Sequence, residues 1–392
     1  MMTSKKISVV VSCSVKFHAF ALVEQLEKNG VEVMFFTTYS SIVNTFFSRF
    51  TKRMDKEIIN PKSIKTNIIL AILLKLYRRS PQFVNNLFDL WVSKKLRKLD
   101  ADFFIGWSGM SLNSINVAKS KGWKTFLERG STHILFQENL LLNTFLKYGV
   151  NFKIEKSTII KELQEYSCAD FISIPARLVE KSFLEYGIPK NKLLINPYGA
   201  DLKNFKPLDI NKTDNKLRIL FFGKVLLRKG FVELIQAVEK YKNEIRLVVV
   251  GSVNDFEIHD FIDKIKNEPH IKFLGHLDHS KINEVINSSD IGIVPSLEDG
   301  YAMVVPQMLS SGIPVIVSTN TGSEELIEDS INGWIVEPTA EGIENKLLFL
   351  LKNKPVIEEM RKNIISNGFL NLSWDEYGIR YYNNLCKLGR KK

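Results

Sequence analysis

Two short stretches in the second half of the chain hold the residues best suited to chemistry. In FFGKVLLRKG an apolar strand ends at Gly223 and the next helix begins near Gly230, so Lys224 and Lys229 share one short connection. Two ammonium groups at a strand end suit a diphosphate and would offset the charge that develops on it as a leaving group. In DIGIVPSLEDGYAMVVPQMLSSGIPVI a buried strand ends at Pro295 and a helix begins near Met303. The unpaired amides of Gly300, Tyr301, Ala302 and Met303 would form an anion site at that helix start, with glycine letting the backbone come close to a ligand. Asp299 and Gln307 bracket the site, so one loop could hold phosphate, sugar and ribose. Taken singly, each loop also reads as an ordinary surface turn.

Weaker signals accompany these two. HIKFLGHLDH leaves Gly275 and His276 at a strand end, where backbone groups could read the edge of a nucleobase. CSVKFHAF, residues 13–20, fills the first strand-to-helix turn and contributes Lys16 and His18. ERGSTH, residues 128–133, follows the strand WKTFL; its Glu128 and Arg129 could simply pair, and His133 is either a site residue or a loop histidine. Asp100 and Asp102 spell Asp-x-Asp, a metal-binding pattern, but they precede the strand FFIGW and so lie at its amino end, away from where ligands collect in parallel sheets. No clustered His or Cys ligands appear, and no metal or other cofactor is expected.

Strands and helices alternate in a way that positions these loops. ISVVVS, a helix from Phe17 to Lys28 and VEVMFFT form a strand, helix, strand unit; DFFIGW, WKTFLE and DFISIP continue it with helices between. The same pattern restarts at LRILFFG and runs through IRLVVVG, HIKFLG, DIGIVP and IPVIVS. The fold class is therefore α/β, with two Rossmann-like doubly wound domains facing a cleft. The expected bounds are 1–206 for the first domain, with a basic helical insert at about 41–100, 207–216 for a polar linker, 217–372 for the second domain and 373–392 for a C-terminal helix. That helix carries Trp374, Tyr377, Tyr381 and Tyr382 as an apolar stripe that must pack against something.

Composition narrows the class. The 392 residues are 45% hydrophobic and 25% charged, enough for two cores and not a disordered chain. Three dispersed cysteines fit a reducing, cytoplasmic setting. The start lacks a cleavage site, and IILAILLKLY at 68–77 is about half a bilayer span, so no transmembrane helix is expected. Of the net charge of +11, residues 41–100 carry an excess of nine, from 13 Lys or Arg and 4 Asp or Glu. These cations alternate with leucines, isoleucines and phenylalanines at helical spacing, unlike a nucleic-acid reader, so nucleic acid is set aside. Either an anionic membrane met peripherally or a merely solvated basic face accounts for them.

Read together and in order, INPYGADLKNFKP (195–207), ILFFGKVLLRKGF (219–231), the block 291–317 and TNTGSEELIEDSINGWIV resemble glycosyltransferase family 4, retaining enzymes of the GT-B fold, over most of the chain. The resemblance implies a nucleotide-sugar donor, with Lys224 and Lys229 on its phosphates. Lys224 stands where relatives usually carry arginine, which keeps the charge and loses the guanidinium fork. Asp299 and Gln307 stand where relatives carry two glutamates; they would bind sugar and ribose hydroxyls as acceptor and as donor–acceptor. His133 falls in the region of a cleft histidine near the donor sugar, and Lys16 and His18 replace glycines on the acceptor side. The C-terminal helix is expected to return to the first domain. The reaction implied is transfer of a hexose-type sugar to a hydroxyl of a saccharide or lipid-linked saccharide acceptor, in cell-surface polysaccharide or lipid-linked saccharide synthesis. Nucleotide-sugar binding without turnover, or an epimerase- or phosphorylase-like reaction, stays open as an alternative.

Overall fold

The computed structural model describes residues 6–39, 61–77, 81–210, 215–253, 258–368 and 372–389. Seven strands form the first sheet: β1 (Ser8–Cys13), β2 (Glu32–Thr37), β3 (Ile64–Thr66), β4 (Phe103–Trp107), β5 (Lys124–Glu128), β6 (Phe171–Ile174) and β7 (Leu193–Ile195), in the order β3-β2-β1-β4-β5-β6-β7. Six form the second: β8 (Leu217–Phe222), β9 (Ile245–Val250), β10 (Ile271–Gly275), β11 (Ile291–Val294), β12 (Val315–Ser318) and β13 (Gly333–Val336), in the order β10-β9-β8-β11-β12-β13. All their pairings are parallel. Sequences such as SVVVSC and IGIV are apolar at successive positions because helices cover both faces of the sheet. In each sheet the strand order reverses beside the first strand, between β1 and β4 and between β8 and β11. A crevice opens at such a point because the flanking loops diverge to opposite faces.

Two expectations shift. The insert is not purely helical: β3 extends the first sheet before the helices Ile68–Leu76 and Pro81–Leu96, while its residues 41–60 and 78–80 lie outside the described residues. The crossing between domains also comes earlier than the polar stretch 207–216. Phe205 is already buried in the second domain's core, and Asn283 and Asn287 accept hydrogen bonds from the amides of Lys206 (3.2 Å) and Leu208 (2.8 Å). Lys206 and Leu208 are thus pinned by side-chain amides of the second domain.

The chain crosses twice, and the crossings meet. The amide of Ala200 donates to the carbonyl of Leu372 (2.6 Å), and Ala200 bridges Ser373. Beyond this point the helix Trp374–Gly389 returns to the first domain, burying Tyr377, Tyr381 and Leu385 from successive turns in its core. Arg380 from the same helix donates to Asn196 Oδ1 (3.0 Å) and to the carbonyl of Pro197 (2.8 Å), stapling the first crossing.

Candidate active site

At the reversal point of the second sheet, the ends of β8 and β11 enclose a cavity of about 160 Å³. Phe222, Gly223, Pro295 and Ser296 form its floor, with Lys229, Asp299 and the run from Tyr301 to Val304 around it. Lys229 sits on a single turn, Leu227–Lys229, which ends at Gly230 in the left-handed region (φ +67°). Only glycine fits there, because a Cβ would meet the carbonyl oxygen of Pro295 at 1.9 Å. The close approach brings the Lys229 turn against the β11 loop, and the Lys229 ammonium contacts the Asp299 carboxylate. Burial acts to raise the pKa of Asp299, but Lys229 and Arg228, with the amide of Tyr301, hold it below the usual carboxylate range. The cavity thus presents a fixed anion, a cation and free apolar wall, which suits a diphosphate bearing a hydroxyl-rich group.

Neighbouring residues make a second pair that was not read from the sequence. Arg228 Nη2 lies 2.6 Å from Glu298 Oε2, and its Nε donates to the Glu298 carbonyl (3.0 Å). Glu298 is fully buried and belongs to the contact between domains. Its carboxylate accepts from Thr132 Oγ1 (2.8 Å) and Gln137 Nε2 (2.8 Å) of the first domain, while Arg228 Nη2 reaches Ser131 Oγ (3.4 Å). The only sequence signal was adjacency to Lys229 and Asp299. Tyr198, from INPYGAD, was likewise missed as a packing residue: it is buried between His18 (ring centroids 4.1 Å apart) and Tyr301 (5.5 Å).

The remaining expected residues divide. Ala302 and Met303 line the cavity with Tyr301. Gly300 does not; a Cβ there would meet the carbonyl oxygen of Gly130 at 2.1 Å, so its smallness serves the approach of the two domains rather than of a ligand. Lys224 is exposed and outside the cavity lining. Gln307 is half-buried within the short helix Val304–Ser310 and also outside the lining. Gly275 and His276 are exposed at the end of β10, the sheet edge two strands from β8. Asp102 accepts from the amide and hydroxyl of Ser8 (both 2.9 Å), tying β1 to the amino end of β4.

In the first domain neither His133 nor His18 lines the cavity around Asp299. His133 is buried as the N-cap of the helix Ile134–Phe145, its Nδ1 accepting from the Leu135 amide (3.3 Å) and its ring stacked on Tyr186 at 4.6 Å. It borders a separate cavity with Tyr166 and Lys192, not the one around Asp299. Burial, then the charge of Arg129, lowers its pKa to about 4. His18 is turned inward, its side chain 7% exposed, with Nε2 3.1 Å from Glu128. Apolar and aromatic neighbours thus enclose the ring that was expected on the acceptor side. Lys16 lies 5.5 Å over the ring of Tyr39. Glu128 and Arg129 do not pair with each other: Tyr381 Oη donates to Glu128 (2.8 Å), and Arg129 Nη1 meets Glu162 at 2.7 Å.

A sucrose-phosphate synthase from Thermosynechococcus elongatus has the same architecture, with a TM-score of 0.75 over 98% of this chain and 99% of that one, at 16% identity. The fold is GT-B, that of two-domain glycosyltransferases. Residues 203–370 match the family described as Glycosyl transferases group 1, which takes in the second domain and both lysine- and aspartate-bearing loops. Among curated sequences, an uncharacterized glycosyltransferase, MJ1607, of Methanocaldococcus jannaschii is 25% identical over 230 residues, covering 54% of this chain and 58% of that protein. The N,N'-diacetylbacillosaminyl-diphospho-undecaprenol alpha-1,3-N-acetylgalactosaminyltransferase of Campylobacter jejuni is 25% identical over 204 residues, 48% of this chain and 52% of that one. The chain spans little more than half the length of these relatives.

Proposed function

We propose that this GT-B protein is a family 4 glycosyltransferase that moves a hexose-type sugar, with retention, from a nucleoside-diphosphate sugar to a hydroxyl of a saccharide or lipid-linked saccharide. It works without metal at the cytoplasmic side of cell-surface polysaccharide or lipid-linked saccharide synthesis. One observation carries the reading: Lys229 and Asp299 meet in a cavity at the reversal point of the second sheet, within the segment that matches group 1 glycosyl transferases. Lys229 offsets charge on the diphosphate as the bond from its oxygen to the anomeric carbon breaks. The acceptor oxygen bonds to that carbon from the same face, and its proton passes to the departing phosphate oxygen. Asp299 holds sugar hydroxyls, Gln307 the ribose, and the end of β10 at Gly275 and His276 the base.

Turnover of a panel of nucleotide sugars, with wild type beside Lys229→Ala and Asp299→Ala, tests this. Retained full activity in both variants overturns it, and the anomeric configuration of the product decides retention. The contact of Asp299 with Lys229, together with glutamine at 307, favours one second reading, a protein that binds a nucleotide sugar without transferring it. Calorimetric binding with no turnover against any acceptor selects that reading.

A further inference from the structure

The helix Ile68–Leu76 (IILAILLKL) has one polar residue, Lys75, yet lies on the surface. A helix apolar all round normally lies in a core or in lipid. Here only Leu70 and Ala71 are buried, on the side toward the helix Pro81–Leu96. Ile68, Ile69, Ile72 and Leu76 project on the other side: at about 100° per residue they share an arc of about 100°. Ile69 is 71% exposed and Leu76 72%, and the exposed rings of Tyr77 and Phe83, 5.9 Å apart, extend the patch. Asn67 caps the helix, its side chain accepting from the Leu70 amide (3.2 Å), so the apolar face is held by a fixed element.

Charge selects the partner. From residue 61 to residue 88 the sequence has five Lys or Arg and no Asp or Glu. Such a stretch is repelled by another copy of itself and attracted to an anionic surface, and apolar side chains framed by cations match the boundary between headgroups and acyl chains. Among the described residues no helix is long and apolar enough to cross a membrane, so the contact is one of lying on the bilayer. We infer that the helix Ile68–Leu76, with Tyr77 and Phe83, is the face by which this protein docks on an anionic lipid bilayer. β3 runs parallel to the other strands of its sheet, so this helix starts on the same side as the loop after β1. The inference holds whether or not the protein transfers a sugar.

Flotation of the full chain with vesicles tests it, comparing phosphatidylcholine alone with a mixture containing about a third phosphatidylglycerol. The wild type is expected to partition onto the anionic vesicles at least about tenfold more strongly than onto neutral ones, and less at high salt. Ile69→Asp combined with Leu76→Asp should lower that partitioning about tenfold or more, with an unchanged melting temperature because both positions are exposed. Absence of wild-type flotation on anionic vesicles, or equal flotation of the double variant, overturns the inference. So does a dimer seen by light scattering that the double variant abolishes without any flotation, which would assign the face to a second copy of the chain.

Discussion

Arg228 and Lys229 are neighbours on one turn, Glu298 and Asp299 neighbours on one loop, and the two ion pairs they make face opposite ways. Arg228–Glu298 looks out of the second domain, where Thr132 and Gln137 of the first domain complete the shell of a fully buried carboxylate. Lys229–Asp299 looks inward and lines the cavity. The difference shows how little separates holding a ligand from holding the domains together. The outer pair also anchors to the first domain the loop that carries the inner one.

The largest expected effect tests the outer pair. Glu298→Ala leaves the buried donors of Thr132 and Gln137 unpaired and removes the partner of Arg228, whose side chain is 30% exposed and so keeps part of its hydration. A loss of about 2–4 kcal/mol in unfolding free energy is expected, read by denaturant titration. A loss under about 0.5 kcal/mol would mean that the clasp does not hold the domains.

Next comes the inner pair. Lys229→Ala should lower turnover of a nucleotide sugar roughly tenfold or more, about 1.5–3 kcal/mol, while unfolding stability falls by less than in Glu298→Ala, because Arg228 and the Tyr301 amide still act on the Asp299 carboxylate. The contrast between the two variants is the useful quantity. If Lys229→Ala melts as early as Glu298→Ala and still turns over, the roles are reversed.

Gly300→Ala probes the boundary between the pairs. The added carbon would lie 2.1 Å from the Gly130 carbonyl oxygen and 2.6 Å from Ser131 Cα, both backbone atoms that yield only if the domains part. The expected cost is about 1–3 kcal/mol of stability, with nucleoside-diphosphate affinity by calorimetry nearly unchanged, since the second domain's cavity is intact. A large loss of affinity with normal stability would return Gly300 to the ligand.

Much of this was legible in the sequence for a physical reason. Parallel strands buried on both faces are continuous apolar runs, so β1, β8 and β11 stand out, and the loop after each can be located. Side-chain direction at a strand end is another matter. Lys224, Lys229, Glu298 and Asp299 are all charged loop residues, and which of them faces the cavity depends on φ at Gly230 and on the packing of Gly300 against Gly130. Those are long-range contacts with no periodic signature. The surroundings of His133 and His18 were hidden for a related cause: a histidine after a strand looks alike whether it faces a cleft or, as here, stacks on Tyr186 or packs at a tilt against Tyr198.

The smallest expected effect is the most discriminating for the cavity. Lys224 sits two residues past the end of β8, exposed and outside the cavity lining, whereas Lys229 lies within it. A solvated ammonium acts on a diphosphate through water and salt, and at physiological ionic strength little of its attraction survives beyond roughly 8 Å. Lys224→Ala should therefore reduce turnover about threefold or less, near 0.6 kcal/mol, and most of that should vanish as ionic strength rises, while the loss in Lys229→Ala persists. Steady-state kinetics of both variants across a salt series measures this. Equal, salt-resistant losses would mean that the turn after β8 closes over the diphosphate to bring Lys224 into contact, and the fixed inner pair would then be only half of the grip.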